Sequence, residues 1–127
     1  MFINVTNYPS VDWEKRQMDE AVSYGEVKDL RFPEINSGWS SSEIIAKAQV
    51  LAERIAKIIW ENNDVKNGVL VMGEPSFSYA LIQELQYRNI KVLCATYDIE
   101  LYEDEEMIQR FVKFREYSVR IAIEEDE

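Results

Sequence analysis

The segment from 68 to 88 joins an apolar strand, a short turn and an amphipathic helix in immediate succession. The strand reads Gly68-Val69-Leu70-Val71-Met72, and its apolar residues are consecutive, which is typical of an interior strand of a parallel sheet covered on both faces. The turn reads Gly73-Glu74-Pro75-Ser76-Phe77-Ser78, and the helix is predicted over 79–88. A strand joined so directly to a helix belongs to a β-α-β unit, so this segment restricts the chain to an α/β fold.

The same alternation of strands and helices extends over most of the chain. β-branched and alternating residues predict further strands, the second of them at the edge of the sheet, over 2–6, 27–32 and 91–95. A first helix is predicted with Ser10 or Asp12 as its N-cap and Gly25 just after its end. Ser40-x-x-Glu43 forms a capping box that predicts the start of a long second helix.

The last third of the chain departs from this alternation. Residues 99–102 and 107–117 flank the acidic run 103–106 and predict a β-hairpin that adds antiparallel strands to one edge. Right-handed crossovers favour the strand order 2-1-3-4, so we expect a Rossmann-like three-layer α/β sandwich with a C-terminal antiparallel hairpin. Residues 1–123 are predicted to form one domain, followed by an acidic tail over 124–127.

The composition excludes several classes of chemistry. The chain has no histidine, which removes Ser-His-Asp triads, Cys-His pairs and histidine-based zinc sites, and we expect neither a metal nor a cofactor. Its single cysteine, Cys94, excludes an intramolecular disulfide and fits a reducing compartment, so we expect a cytoplasmic protein. The longest apolar runs are about five residues, far below the roughly 20 that a membrane span requires.

The charge of the chain bears on the kind of ligand it can bind. The net charge of −10 argues against binding DNA through a basic surface. Eight of the acidic residues lie in the two runs 103–106 and 124–127, however, so the remainder of the chain is near −2. A small anionic ligand in a focused pocket therefore stays compatible with the sequence.

Two turn-rich loops follow the first and third strands of the predicted sheet. They read Asn7-Tyr8-Pro9-Ser10 and Gly73-Glu74-Pro75-Ser76. In the order 2-1-3-4 the strand sequence reverses between these two strands, and ligands of open α/β sheets bind outside their carboxyl ends at this switch point. The sequence therefore predicts a ligand site where the two loops converge.

Each polar residue of these loops has a ligand-binding and a structural interpretation. Gly73 allows close backbone approach, while Ser76 and Ser78 offer hydroxyl and N–H donors to an anion. Glu74 is either a general base or hydrogen-bond acceptor, or it only complements the dipole of the following helix, which Ser76 would then cap. The loop has one glycine and no lysine, so it is neither a dinucleotide-binding nor a Walker loop.

Polar residues of the first loop and of the fourth strand also have both a ligand-binding and a structural interpretation. Asn7 and Ser10 could bond a base edge or a phosphate, and Tyr8 could stack on a base. Turn formation and helix capping explain Asn7 and Ser10 almost equally well. Thr96, predicted at the end of the fourth strand, either reaches the same rim or bonds its own backbone.

Several stretches of the chain together resemble small CRISPR-associated Rossmann-fold (CARF-like) proteins of type III systems. These stretches are Phe2-Ile3-Asn4-Val5-Thr6-Asn7-Tyr8-Pro9-Ser10, Tyr24-Gly25-Glu26-Val27, Phe32-Pro33, Met72-Gly73-Glu74, Ser76-Phe77-Ser78-Tyr79-Ala80-Leu81 and Phe111-Val112-Lys113-Phe114-Arg115-Glu116-Tyr117. The resemblance implies binding of cyclic oligoadenylate at the interface of a homodimer. It places Asn7, Tyr8 and Ser10 in one wall of the pocket. The other wall holds Gly73, Glu74, Ser76 and Ser78.

The resemblance also implies an activity, ring opening of the bound nucleotide. The step needs no metal if a ribose 2′-OH attacks its own phosphate in line, with Glu74 as the base and Ser76 and Ser78 stabilising the developing charge. Tyr8 stands where related chains often have a histidine, so binding is favoured over cleavage. Two alternatives remain open, a non-catalytic interaction module with an acidic surface and a small-molecule enzyme that uses Glu74 with Asp98.

Overall fold

The computed structural model describes residues 1–101 and 107–119. Within these residues the chain forms, in order, strand β1 (Phe2–Val5), a 3-10 turn (Ser10–Asp12), helix α1 (Lys15–Val22), strand β2 (Val27–Asp29), helix α2 (Ser41–Glu61), strand β3 (Gly68–Val71), helix α3 (Pro75–Tyr87), and strands β4 (Val92–Leu101) and β5 (Met107–Glu116). The predicted acidic turn 103–106 and the tail 124–127 lie outside the described residues.

One mixed sheet organises the fold and has the order β2-β1-β3-β4-β5. The strands β2, β1, β3 and β4 are parallel, and β4 and β5 form the antiparallel hairpin. The predicted α/β class, the order 2-1-3-4 and the C-terminal hairpin are therefore confirmed. The reversal of strand order lies between β1 and β3, as expected.

Two apolar cores cover the two faces of this sheet. Helices α2 and α3 pack on one face over a core that includes Phe77 and Leu81. Helix α1 covers the other face, where the core contains Phe2, Phe111 and Phe114. The ring centroid of Phe114 lies 4.8 Å from that of Phe2 and 4.9 Å from that of Phe111. The three-layer arrangement follows from strands that are apolar on both faces.

The helix ends follow local side-chain chemistry. The capping box predicted at Ser40 is present, because the Glu43 N–H donates to Ser40 Oγ at 3.2 Å and the Glu43 carboxylate accepts from the Ser40 N–H. The predicted N-cap of α1 is wrong, since the 3-10 turn intervenes and Glu14 is the N-cap. Gly25 has φ +113°, a left-handed conformation that glycine adopts readily, and lies three residues beyond the end of α1.

Strand β4 differs most from the sequence prediction. We expected a short fourth strand ending near Thr96 and a separate hairpin arm after it, but a single strand spans Val92–Leu101. A bulge beside Thr96 shifts the register, so that Tyr97 pairs with Phe111 and Thr96 with Lys113. Strand β4 pairs with β5 on both sides of this bulge, from Leu93 to Leu101, so one strand contacts β3 at its start and forms the hairpin along its length.

The hairpin projects past the carboxyl ends of the other strands. Strand β4 pairs with β3 through Val92 and Leu93 only, and it continues to Leu101 beside β5. Ile99 is 60% exposed on this outer part of the hairpin. Arg110 forms an ion pair across the hairpin with Glu100, at 3.4 Å. The outer part of the hairpin therefore forms a wall beside the switch point.

Helix α1 and the residue before it are hydrogen-bonded to strand β5. The N–H of Phe111 donates to the Glu14 carboxylate at 2.7 Å, and the N–H of Phe114 donates to the Glu20 carboxylate at 3.2 Å. These bonds involve charged acceptors, which form stronger hydrogen bonds than neutral ones. They fix the position of α1 against the hairpin.

No helix among residues 1–101 and 107–119 combines the length and the apolar character needed to cross a bilayer.

Candidate functional site

A cleft of about 600 Å³ lies at the carboxyl ends of β1 and β3, on the face of the sheet that carries α1. The described residues that line it come from both switch-point loops, from α1 and the turn before it, and from the hairpin; they are Asn7, Tyr8, Asp12, Trp13, Glu14, Gln17, Met72, Gly73, Tyr97 and Gln109. The structure thus brings Asn7, Tyr8 and Gly73 together. The volume of the cleft lies within the range of small-molecule sites.

A buried polar network holds the first loop in place. Asn4 and Thr6 are 1% and 6% exposed, although they belong to an otherwise apolar segment. Asn4 Nδ2 donates to the carbonyl of Tyr8 at 2.8 Å, Thr6 Oγ1 donates to Asn4 Oδ1 at 2.8 Å, and the Tyr8 N–H donates to Thr6 Oγ1 at 3.0 Å. Because buried polar groups are costly without partners, these bonds fix the backbone of Tyr8 at the mouth of the cleft.

Ser10 points away from the cleft, toward β2. Its N–H and Oγ both donate to the carboxylate of Asp29, at 3.2 and 3.0 Å. Asp29 also accepts from Asn4 Nδ2 at 2.9 Å. Ser10 is therefore a structural link between the first loop and β2, and it does not line the cleft.

Gly73 is required by close packing with Phe32. A Cβ atom at this position would overlap the ring of Phe32. That ring is 4% exposed and stacks edge-on against Phe77, with 5.6 Å between the ring centroids. The backbone of the second loop therefore lies directly on the core, and a glycine is the residue that permits it.

Glu74 is the N-cap of helix α3, and Pro75 occupies the first helical position. Its carboxylate accepts from the N–H groups of Ser76 and Phe77, at 2.8 and 3.0 Å. The Ser76 hydroxyl donates to the same carboxylate at 2.6 Å. The donors that an external anion would use at this helix end are thus bonded to a side chain of the protein itself.

These hydrogen bonds also determine how Glu74 titrates. The Ser76 hydroxyl, and then the N–H groups of Ser76 and Phe77, hold the pKa of Glu74 below its ordinary value. A carboxylate stabilised in this way is a weaker base, because the bonds favour its charged form. The geometry supports capping more directly than general-base catalysis.

A Glu74→Gln variant is expected to unfold at a lower temperature than the wild type at pH 7. The pKa of Glu74 is lower in the folded than in the unfolded protein, so its charge contributes stability above its unfolded pKa. That contribution is lost as the pH falls through the folded pKa. The difference between the two unfolding temperatures should therefore shrink from pH 7 to pH 3.

The control for this experiment is Glu34→Gln. Glu34 is exposed and has no hydrogen bond or ion pair within residues 1–101 and 107–119. We expect its unfolding temperature to stay close to that of the wild type at every pH. A Glu74→Gln difference that is equally large at pH 3 would contradict the capping role of the charge.

Ser78 and Thr96 lie outside the cleft lining. Ser78 Oγ is shielded from solvent and finds no hydrogen-bond partner among the residues that the structure describes. Thr96 Oγ1 donates to the carbonyl of Lys113 on β5 at 3.0 Å. Because Thr96 lies in the middle of β4 and not at its end, its hydroxyl bonds the neighbouring strand.

The hairpin contributes Tyr97 to the wall of the cleft. Its hydroxyl donates to Gln17 Oε1 at 3.3 Å, and Gln17 is 4% exposed. Burial raises the pKa of Tyr97, so the phenol is neutral at physiological pH. The ring also packs edge-on against Phe111, with 6.1 Å between the ring centroids.

The cleft is aromatic, and the described residues that line it carry no positive charge. Its described lining includes the rings of Tyr8, Trp13 and Tyr97 and the carboxylates of Asp12 and Glu14, and no lysine or arginine. Tyr8 is 74% exposed, so its ring is available to a ligand. This surface is suited to a flat, uncharged group, while a phosphate requires a cation from elsewhere.

A smaller cavity of about 290 Å³ adjoins the cleft at Asn7, which lines both. It lies at the carboxyl ends of β1 and β2, and its described lining consists of Asn4, Thr6, Asn7, Pro9, Asp29 and Arg31. Arg31 is exposed and lies two residues after β2. The loop 7–9 therefore separates two neighbouring depressions.

Four residues that line or hold the two cavities were not predicted from the sequence: Asn4, Asp29, Arg31 and Tyr97. One signal was present for Asn4, a polar residue inside an apolar strand, since such a residue needs a buried partner. Nothing local marks Asp29, Arg31 or Tyr97. They reach the site through sheet pairing and through the continuous strand β4.

A mostly parallel sheet, helices on both faces and a cleft where the strand order reverses define a small Rossmann-like α/β domain. The chain belongs to the uncharacterized protein MJ1673 family, whose model matches residues 1–117. Neither the curated proteins nor the solved structures contain a match.

Proposed function

We propose that this protein binds a cyclic oligoadenylate, with an adenine base in the switch-point cleft. The observation that supports the proposal is the convergence of both loops on one cleft whose mouth carries the exposed ring of Tyr8. Stacking of a base on an aromatic side chain contributes about 1–3 kcal/mol. The resemblance to CARF-like proteins of type III CRISPR systems supplies the nucleotide class.

The size of the cleft supports a site completed by a second copy of the chain. About 600 Å³ is a volume for one small ligand, and the cleft is open at the molecular surface. A cyclic tetra- or hexa-adenylate is larger than this, so two equivalent clefts facing each other would enclose it. A homodimer with a two-fold axis presents the same residues twice, as a cyclic ligand with repeated bases requires.

The geometry supports binding of the cyclic nucleotide better than its rapid cleavage. Glu74 is bonded to the start of α3, and the Ser76 hydroxyl is bonded to Glu74. Both must leave these partners before they can act on a ribose or a phosphate. In the catalytic version, a ribose 2′-OH attacks the adjacent phosphate, the bond to the 5′-oxygen of the next nucleotide breaks, and that oxygen takes up a proton, which leaves a linear product with a 2′,3′-cyclic phosphate. A Glu74→Ala variant that binds but no longer opens the ring would establish it.

The test is thermal unfolding with cyclic tri-, tetra- and hexa-adenylate, together with native mass measurement. A ligand at 100 times its dissociation constant stabilises the folded state by about 2.7 kcal/mol. We expect one of these rings to raise the unfolding temperature and to bind at one ring per two chains. No shift with any of them would reject the proposal and favour an interaction module.

A Tyr8→Ala variant tests the role of the first loop. A dimer that binds one ring loses two stacking contacts, so binding should weaken by at least about 30-fold. The matched control is Tyr87→Ala, because Tyr87 is 85% exposed at the other end of α3. Both variants should fold as the wild type does, and equal affinities for the two would exclude Tyr8 from the site.

A further inference from the structure

The proposed function leaves the phosphates of the ligand without a positively charged partner. The described lining of the cleft includes two carboxylates and no cation, and the chain carries a net charge of −10. Bringing a polyanion to such a surface is unfavourable unless a cation lies near each point of contact. The adjoining cavity supplies one.

Arg31 is the single cation among the described residues that line the two cavities. It is exposed and has no hydrogen bond or ion pair with any residue of 1–101 or 107–119. A guanidinium presents several donors in one plane, which suits a phosphate. Its charge is therefore available to a ligand.

The carboxylate of Asp29 lies in the same cavity and already accepts hydrogen bonds from within the protein. Asp29 accepts from Asn4 Nδ2 at 2.9 Å and from the N–H and hydroxyl of Ser10 at 3.2 and 3.0 Å. These neutral donors satisfy the oxygens of Asp29 and hold its carboxylate against the first loop. Arg31, two residues further along the chain, is left without an internal partner.

Asn7 connects the two cavities. It lines the aromatic cleft and the cavity of Arg31, and the loop that carries it is held by the buried network of Asn4 and Thr6. A nucleotide has a flat base at one end and a phosphate at the other. The two cavities offer the matching chemistry in that order, aromatic rings first and a guanidinium beyond Asn7.

We propose that Arg31 binds a phosphate of the ligand whose base occupies the cleft, so that the site spans both cavities and Asn7 lies at their junction. This inference rests on the proposed function. It assigns the recognition of phosphate to the loop after β2, and not to the start of α3, where Glu74 occupies the N–H donors.

The experiment measures the affinity of the wild type, Arg31→Gln and Arg54→Gln for the ring that stabilises the wild type, at several salt concentrations. Arg54 is an exposed arginine on α2 and is the matched control. We expect Arg31→Gln to bind at least about 100-fold more weakly, because a dimer that binds one ring loses two charged hydrogen bonds. The dependence of log K on log salt should also become shallower by about 1.4, the contribution of two phosphate contacts.

The outcomes separate the two proposals. A wild type that binds no cyclic oligoadenylate overturns the proposed function and this inference with it. A wild type that binds, with Arg31→Gln equal to Arg54→Gln in affinity and in salt dependence, overturns the inference alone. Equal unfolding temperatures of the two variants will show that a lost affinity does not come from lost folding.

Discussion

Replacing Phe111 by alanine will lower the free energy of unfolding by about 3–5 kcal/mol, the usual cost of removing a buried phenylalanine side chain. Phe111 is 1% exposed and packs against the rings of Phe114 and Tyr97. It faces the core because the bulge beside Thr96 turns it to the side of α1. Its loss leaves a cavity where the hairpin meets the helix, and the unfolding temperature should fall by roughly 10–20 °C.

Ile99→Ala is the control for this variant. Ile99 lies on the same hairpin but is 60% exposed, so its truncation removes little buried area. Chemical denaturation of both variants gives the comparison. A Phe111→Ala protein as stable as Ile99→Ala would mean that the hairpin does not pack on α1 as described.

Gly73→Ala is expected to destabilise the protein by about 1–3 kcal/mol, the usual cost of overpacking a core. The added methyl group would overlap the ring of Phe32, which is held in turn by Phe77. The loop or the ring must move to make room, and the loop lines the cleft at Gly73. We therefore expect the affinity for the ligand to fall together with the stability.

The control is Gly38→Ala, in the connection before α2. A Cβ atom there approaches only Asn36 Oδ1, at 3.3 Å, so the substitution should be nearly neutral. Urea denaturation of the two variants measures the difference. If Gly73→Ala is as stable as Gly38→Ala, the second loop does not lie directly against the core.

The sheet could be predicted from the sequence because its strands are consecutive apolar runs and their connections have one favoured hand. The order β2-β1-β3-β4 follows from right-handed crossovers, and the edge position of β2 follows from its alternating pattern. The capping box at Ser40 was predictable for a similar reason, since both partners lie within four residues. Local chemistry and chain direction were sufficient for these features.

The course of β4 could not be predicted in this way. Residues 99–102 are predicted as a hairpin arm, but nothing local joins them through Thr96 to the strand that begins at Val92. Pairing with β5 makes them one strand. The bulge that corrects the register is set by contacts of Phe111 and Phe114 with the α1 face. Tertiary packing therefore decided where the strand ends.

The site could be predicted in part. The meeting of Asn7, Tyr8 and Gly73 at one cleft follows from topology. The orientation of Ser10, which bonds Asp29, and of Ser76, which bonds Glu74, depends on hydrogen bonds that the spacing of residues does not specify. Each of these hydroxyls had a structural and a ligand-binding interpretation in the sequence, and the structure shows the structural partner.

The bonds from β5 to Glu14 and Glu20 bear on how two copies of this chain can associate. Strand β5 lies at one edge of the sheet, and these carboxylates already hold two of its N–H groups; β2, at the other edge, is three residues long. Two backbone donors of β5 are therefore unavailable to a foreign strand, and β2 offers only a short edge on which the ladder could continue. Self-association by edge-to-edge β-augmentation is thereby disfavoured.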